Sequence, residues 1–138
     1  MTTTVTQILN QIDVILKAHV PGGTNVYRDR ADADSRSETP NINVLALEDT
    51  IEPFSAEMDR HELMVDLRIN VRDPVPTPLA ELQHAAVHTF IVTDATLQNL
   101  CVSIRQLAVG WERAEADQTS LIKTVKYRFI YLINETTL

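Results

Sequence analysis

Three groups of residues in this sequence have the types and spacing to do chemistry. His84 and His88 stand four apart in a stretch with helical periodicity, the separation of an H-x-x-x-H metal pair. A zinc protease built on that pair needs Glu at position 85, which holds Ala85. Two positions on a helix is about 200° of rotation, so both histidines point away from Leu82 and Ala86 and are expected to face solvent. The second group is Asp29-x-x-Asp32-x-Asp34, which has the flavour of a calcium loop. Such a loop requires Gly at its sixth place and Glu at its twelfth, where this chain has Asp34 and Pro40. Arg28, Arg30 and Arg36 would also compete with a cation for the carboxylates, so the segment reads as a solvated or interfacial loop. The third is the lone Cys101, which opens an apolar stretch and is expected in the core rather than as a nucleophile. No G-x-S-x-G elbow occurs, and Pro21-Gly22-Gly23 is not followed by the G-K-[ST] of a phosphate loop. The residues give no positive sign of an enzyme, a metal or a cofactor.

The elements that must position these residues can be read from periodicity. Thr4-Val5-Thr6-Gln7 has the form of a capping box, followed by Val5, Ile8, Leu9, Ile12, Ile15 and Leu16 at helical spacing. Pro21-Gly22-Gly23 stops that helix. Short strands are expected at 25–28 and 42–47, with an acidic loop, EDTIEPFSAEMD, after the second. In HELMVDLRINVR, Leu63, Val65, Leu67, Ile69 and Val71 alternate with Glu62, Met64, Asp66, Arg68 and Asn70. That alternation predicts a strand with one face on a core and one polar face. Thr77 followed by Pro78 predicts the start of a second helix, with Leu79, Leu82, Ala86 and Phe90 as its buried stripe and Val87 and Ile91 beside it. A turn near Asp94 leads to strands at 100–113 and 120–134, joined by the acidic turn 112–118. Val125, Tyr127, Phe129, Tyr131 and Ile133 share one face of the last strand, and Lys126 and Arg128 the other. The order predicts one α+β domain: a largely antiparallel sheet of about five strands with two helices packed on one face.

Composition narrows the function classes. A chain of 138 residues, 44% hydrophobic, forms one domain with a real core. One cysteine excludes an internal disulfide framework and a multi-cysteine zinc site. No apolar run reaches membrane-span length, and MTTTVTQ lacks the basic start of a signal peptide, so a cytoplasmic origin is expected. Nineteen acidic residues against 12 basic ones give a net charge of −7, without the basic footprint that grips a nucleic-acid backbone. What stands out is mixed charge on an outward strand face, Glu62, Asp66, Arg68 and Arg72, which suits either solvent or an interface between subunits.

The order of elements carries a family resemblance. A helix ends at Pro-Gly and leads to Val26-Tyr27-Arg28; a charged loop runs to Glu38, Pro40, Ile42 and Val44 in an E-x-P-x-I-x-V pattern. The long H-x-L-x-V-x-L-x-I-x-V strand follows, then a helix running to Asp94, Thr96 and Leu97 and a closing strand pair. In this the chain resembles the tail terminator (tail completion) proteins of long-tailed bacteriophages, such as that of phage lambda and its contractile-tail relatives. The resemblance implies a virion protein, assembled in the host cytoplasm, that forms a homohexameric ring on the head-proximal end of the tail tube. Such a ring ends tube polymerisation and meets the tail tube protein and the neck or connector, and in contractile tails the sheath. DNA passes through it without specific binding. Arg28, Asp29, Arg30, Arg36, Glu38 and Arg68 are the expected subunit contacts, from charge and position. Glu52, Glu57 and Asp59 are expected to face the lumen or the tube. The alternatives are another ring of the virion, a head-closure or tail-tube subunit, or a small cytoplasmic α+β enzyme or ligand-binding domain.

Overall fold

The computed structural model describes residues 3–29, 40–113, 119–134 and 136. Thr3 caps the first helix, α1 (Thr4–His19): its hydroxyl accepts the Thr6 N–H at 3.1 Å, one residue earlier than the capping box predicts. The helix buries Ile8, Leu9, Ile12, Ile15 and Leu16. It ends where Val20, restricted by the proline after it, turns to an extended conformation with φ −64° and ψ 149°.

Four of the five strands pair antiparallel. They are β1 (Asn25–Arg28), β2 (Asn41–Pro53), β3 (Met58–Arg72), β4 (Ser103–Arg113) and β5 (Ser120–Asn134), in the sheet order β1-β2-β3-β5-β4. The exception to antiparallel pairing is β1, which lies parallel to β2. The predicted alternation in β3 is present: His61, Leu63, Val65, Leu67, Ile69 and Val71 are buried on the helix-covered face. On β5, Leu121, Lys123, Val125, Tyr127, Phe129 and Tyr131 are buried on that same face.

Three expectations about where elements begin and end are corrected. The acidic segment 48–59 is largely not a loop; β2 continues to Pro53 and β3 starts at Met58, leaving a tight hairpin. An extra residue at Leu47 bulges β2 between Ala46 and Glu48 and carries it on into the arm. There Glu52 accepts from Arg60 and Asp49 faces His61 across the hairpin, so these charges do not end the strand. The second helix, α2 (Pro76–Thr93), starts at Pro76 without a side-chain cap, and the Thr77 hydroxyl instead accepts from Arg113 at 3.0 Å. A third, short helix, α3 (Ala95–Leu100), replaces the turn near Asp94: Asp94 accepts the Leu97 N–H at 3.0 Å.

The largest correction concerns the face of α2. Its buried residues are Pro76, Ala80, Gln83, His84, Val87 and Ile91, whereas Leu82 is 55% and Phe90 45% exposed. The helix is rotated relative to its most apolar stripe because it sits over Tyr127, whose hydroxyl needs polar partners when buried. Phe90 is partly sheltered by His19, whose ring stacks on it at 3.5 Å.

Candidate functional site

Three polar clusters lie between the sheet and its helix-covered side. On α2, His88 Nδ1 is 2.7 Å from the Tyr127 hydroxyl and His84 Nε2 is 3.4 Å from it. The pair that sequence spacing places in solvent therefore turns inward, to satisfy a tyrosine. Beside it the ammonium of Lys123, only 2% exposed, donates to Glu81 at 2.9 Å and lies 4.8 Å from the Trp111 ring centre. At the other end of β5, Tyr131 donates to Asp49 Oδ2 at 2.7 Å, and His61 Nδ1 stands 3.0 Å from the same oxygen. Neither tyrosine nor Lys123 enters the expected site from sequence. The available signal is that Lys123, Tyr127 and Tyr131 fall on the apolar face of β5, where each polar tip needs a partner.

These clusters act as internal polar ties. Burial pushes the phenols of Tyr127 and Tyr131 up, so both stay protonated donors at neutral pH. The Cys101 thiol, buried as the sequence predicts, is pushed up to about 12 by desolvation and is not a thiolate near neutrality. A groove beside it is lined by Val92, Gln98, Val102, Ser103 and Ile104, none of which titrates near neutral pH. Among the described residues, no three His, Cys, Asp or Glu side chains converge as a metal site. Among the described residues, no helix is long and apolar enough to cross a membrane.

His84 makes acid stability a test of the cluster over Tyr127. Its pKa is lowered from 6.5, first by burial, then by the charges of Lys123 and His88, against the opposing effects of Gln106 and Glu81. The unfolded chain thus binds a proton at His84 before the folded one does. This contribution to stability is whole above about pH 6.5 and lost as pH falls below it. Urea midpoints between pH 8 and 5 should fall more steeply for the native chain than for His84→Gln; equal slopes would remove His84 from the acid response.

The residues expected at interfaces separate into different places. Arg28 ends β1 on the helix-covered side, donating to Asn10 on α1 at 2.7 Å. Asp29 turns the chain with φ 53°, its N–H bonded to the Val44 carbonyl at 2.9 Å. Arg30, Arg36 and Glu38 lie outside the described residues. Arg68 sits across from Asn43 and Thr124 on the opposite, helix-free face of the sheet, so it does not join Arg28 in one patch. Glu52, Glu57 and Asp59 are brought together by the β2–β3 hairpin, where Glu52 accepts from Arg60 at 2.6 Å.

The helix-free face is the most distinctive surface. Cross-strand register places Glu62, Asp66, Arg68 and Arg72 of β3 there, as the alternation predicts, with Lys126 and Arg128 of β5 and Arg105 of β4. Arg128 approaches Glu62 at 3.5 Å, with both side chains about a quarter exposed. Asp66 lies directly opposite Lys126; its Oδ1 is buried without a hydrogen-bond partner, and desolvation raises its pKa despite Lys126 and Arg68.

No family model matches the chain, and no curated protein matches it with significance.

Proposed function

We propose that this protein is a non-enzymatic virion subunit, a bacteriophage tail terminator. As a homohexameric ring on the head-proximal end of the tail tube, it ends tube growth and joins the tail to the neck or connector. The observation that carries this reading is the helix-free sheet face, where both signs of charge are held half-buried along two paired 15-residue strands. Such a face costs a monomer desolvation, as at Asp66, and gains register and partner choice in an assembly. The element order that resembles tail terminators, with helices gathered on one side of an antiparallel sheet, supports the same reading. The net charge of −7 suits a ring through which DNA passes without being gripped.

Deleting the gene from a phage that carries it tests the role directly. Overlong, headless tails are expected under the electron microscope. Normal virions would overturn the proposal, tails of normal length without heads would assign head closure, and loss of tails altogether would assign the tube.

A further inference from the structure

Charge is distributed unevenly between the two faces of the sheet. The helix-free face holds six of the 12 Lys and Arg residues: Arg60, Arg68, Arg72, Arg105, Lys126 and Arg128. Against them stand five of the 19 acids, Glu48, Glu52, Glu62, Asp66 and Glu112, so six cations and fourteen acids occupy the rest of the chain. Within the face, Arg60 and Arg128 are engaged by Glu52 and Glu62. Arg68 and Lys126 flank the single carboxylate of Asp66 and, like Arg105, close no ion pair among the described residues. The centre of this face therefore holds surplus positive charge in an acidic protein.

The complementary surplus lies at the β2–β3 hairpin. Residues 52–59 contain Glu52, Glu57 and Asp59 and no cation. Glu57 is exposed at the turn, and neither it nor Asp59 closes an ion pair among the described residues. Phe54, 60% exposed, adds an apolar group at the same tip. One strand carries both patches, Asp59 at its start and Arg68 nine residues on, roughly 30 Å away at the rise of an extended chain. A straight strand cannot fold its own tip back on its middle, so these charges can meet only between two copies.

We infer that the helix-free face around Arg68 and Lys126 receives the acidic β2–β3 hairpin tip of a second copy of this chain. Two different patches make the contact, so it is heterologous, and repetition of one such contact closes a ring when the rotation per subunit allows. The inference rests on the ring proposed above and names its contact; it moves Glu57 and Asp59 from the lumen or tube-facing surface to the subunit boundary. A duplex nucleic acid fits this face less well. Backbone binding wants an uninterrupted row of cations, and Asp66 and Glu62 sit among these. The neighbour's tip can supply carboxylates to Arg68 and Lys126 and exclude water from the half-buried pairs around them.

A charge swap followed by native mass spectrometry and analytical ultracentrifugation tests the contact. The native chain should self-associate, less so as salt rises. Arg68→Glu with Lys126→Glu should abolish association at concentrations where the native chain assembles, and Glu57→Lys with Asp59→Lys should do the same. All four changes in one chain should restore assembly. Arg68→Gln with Lys126→Gln, which adds no charge beside Asp66, should weaken association at least ~10-fold while leaving the circular dichroism spectrum unchanged. Association of the native chain that no swap alters would overturn this contact and leave the ring itself standing. A native chain that stays monomeric at the highest concentration would overturn the inference, while the deletion phage judges terminator function separately. Duplex DNA binding that the Gln variant loses, with assembly intact, would overturn it in favour of a nucleic-acid face.

Discussion

Phe129→Ala should lower folding stability by about 3–5 kcal/mol, the range for emptying an aromatic site in a packed core. Phe129 is 0% exposed and sits between Leu63 of β3 and Ile104 of β4 in cross-strand register. Helices cover this face, so neighbouring side chains can only partly collapse into the space left. A domain of this size has about 5–15 kcal/mol to lose, and a fall of roughly 10–15 °C in the melting midpoint is expected. Phe90→Ala is the control. Phe90 looks equally apolar in sequence but is 45% exposed, with a stacked histidine as its chief cover, and its loss should cost under about 1 kcal/mol. Scanning calorimetry on both variants decides the point; equal costs would mean that α2 presents its other face to the sheet.

Asp49→Ala should be the next most damaging change, at about 2–4 kcal/mol, although Asp49 lies within a segment that reads as a loop. Its Oδ2 takes the Tyr131 hydroxyl at 2.7 Å and faces His61 at 3.0 Å, tying β2, β3 and β5 together at the base of the hairpin arm. Without the carboxylate, His61 at 7% exposure and Tyr131 at 2% keep only each other, 3.1 Å apart. Each then loses a strong acceptor in a place water reaches poorly. Tyr131→Phe removes one arm of the same tie and should cost about 1–2 kcal/mol. Because both substitutions break the same bond, the double variant should cost less than their sum by roughly 1 kcal/mol. Strict additivity in urea titrations would show that the three groups do not act as a unit. Accelerated proteolysis within residues 54–57 of Asp49→Ala would locate the damage in the arm, which carries the acids assigned to the subunit contact.

The comparison of Phe90 with Phe129, and of Asp49 with the acids around it, marks where sequence reading stops. Period-two alternation names the buried face of β3 and β5 residue by residue, because a strand offers its side chains only two directions. The same alternation places Glu62, Asp66, Arg68 and Arg72 on the outer face. Cys101 is legible as a core residue from its apolar context. The α2 face is not legible in this way. A helix can rotate through many angles, and its orientation here follows the polar demand of Tyr127, which lies 39 residues beyond His88 in the chain. The hairpin arm is hidden for a related reason: acids that would end an isolated strand are retained when Arg60 and His61 stand across from them.

By itself, then, the sequence determined the α+β class, the largely antiparallel sheet, the inner and outer faces of its long strands and the acidic balance of the chain. These are local or additive properties, set by periodicity and composition. The tertiary structure alone decided that His84 and His88 serve a tyrosine, that Asp49 ties three strands, and that Arg68 and Lys126 share one face while Glu57 and Asp59 stand at its far tip. Each depends on which distant strand lies opposite, and the pairing energy that selects that register is shared over many residues, so no short motif records it.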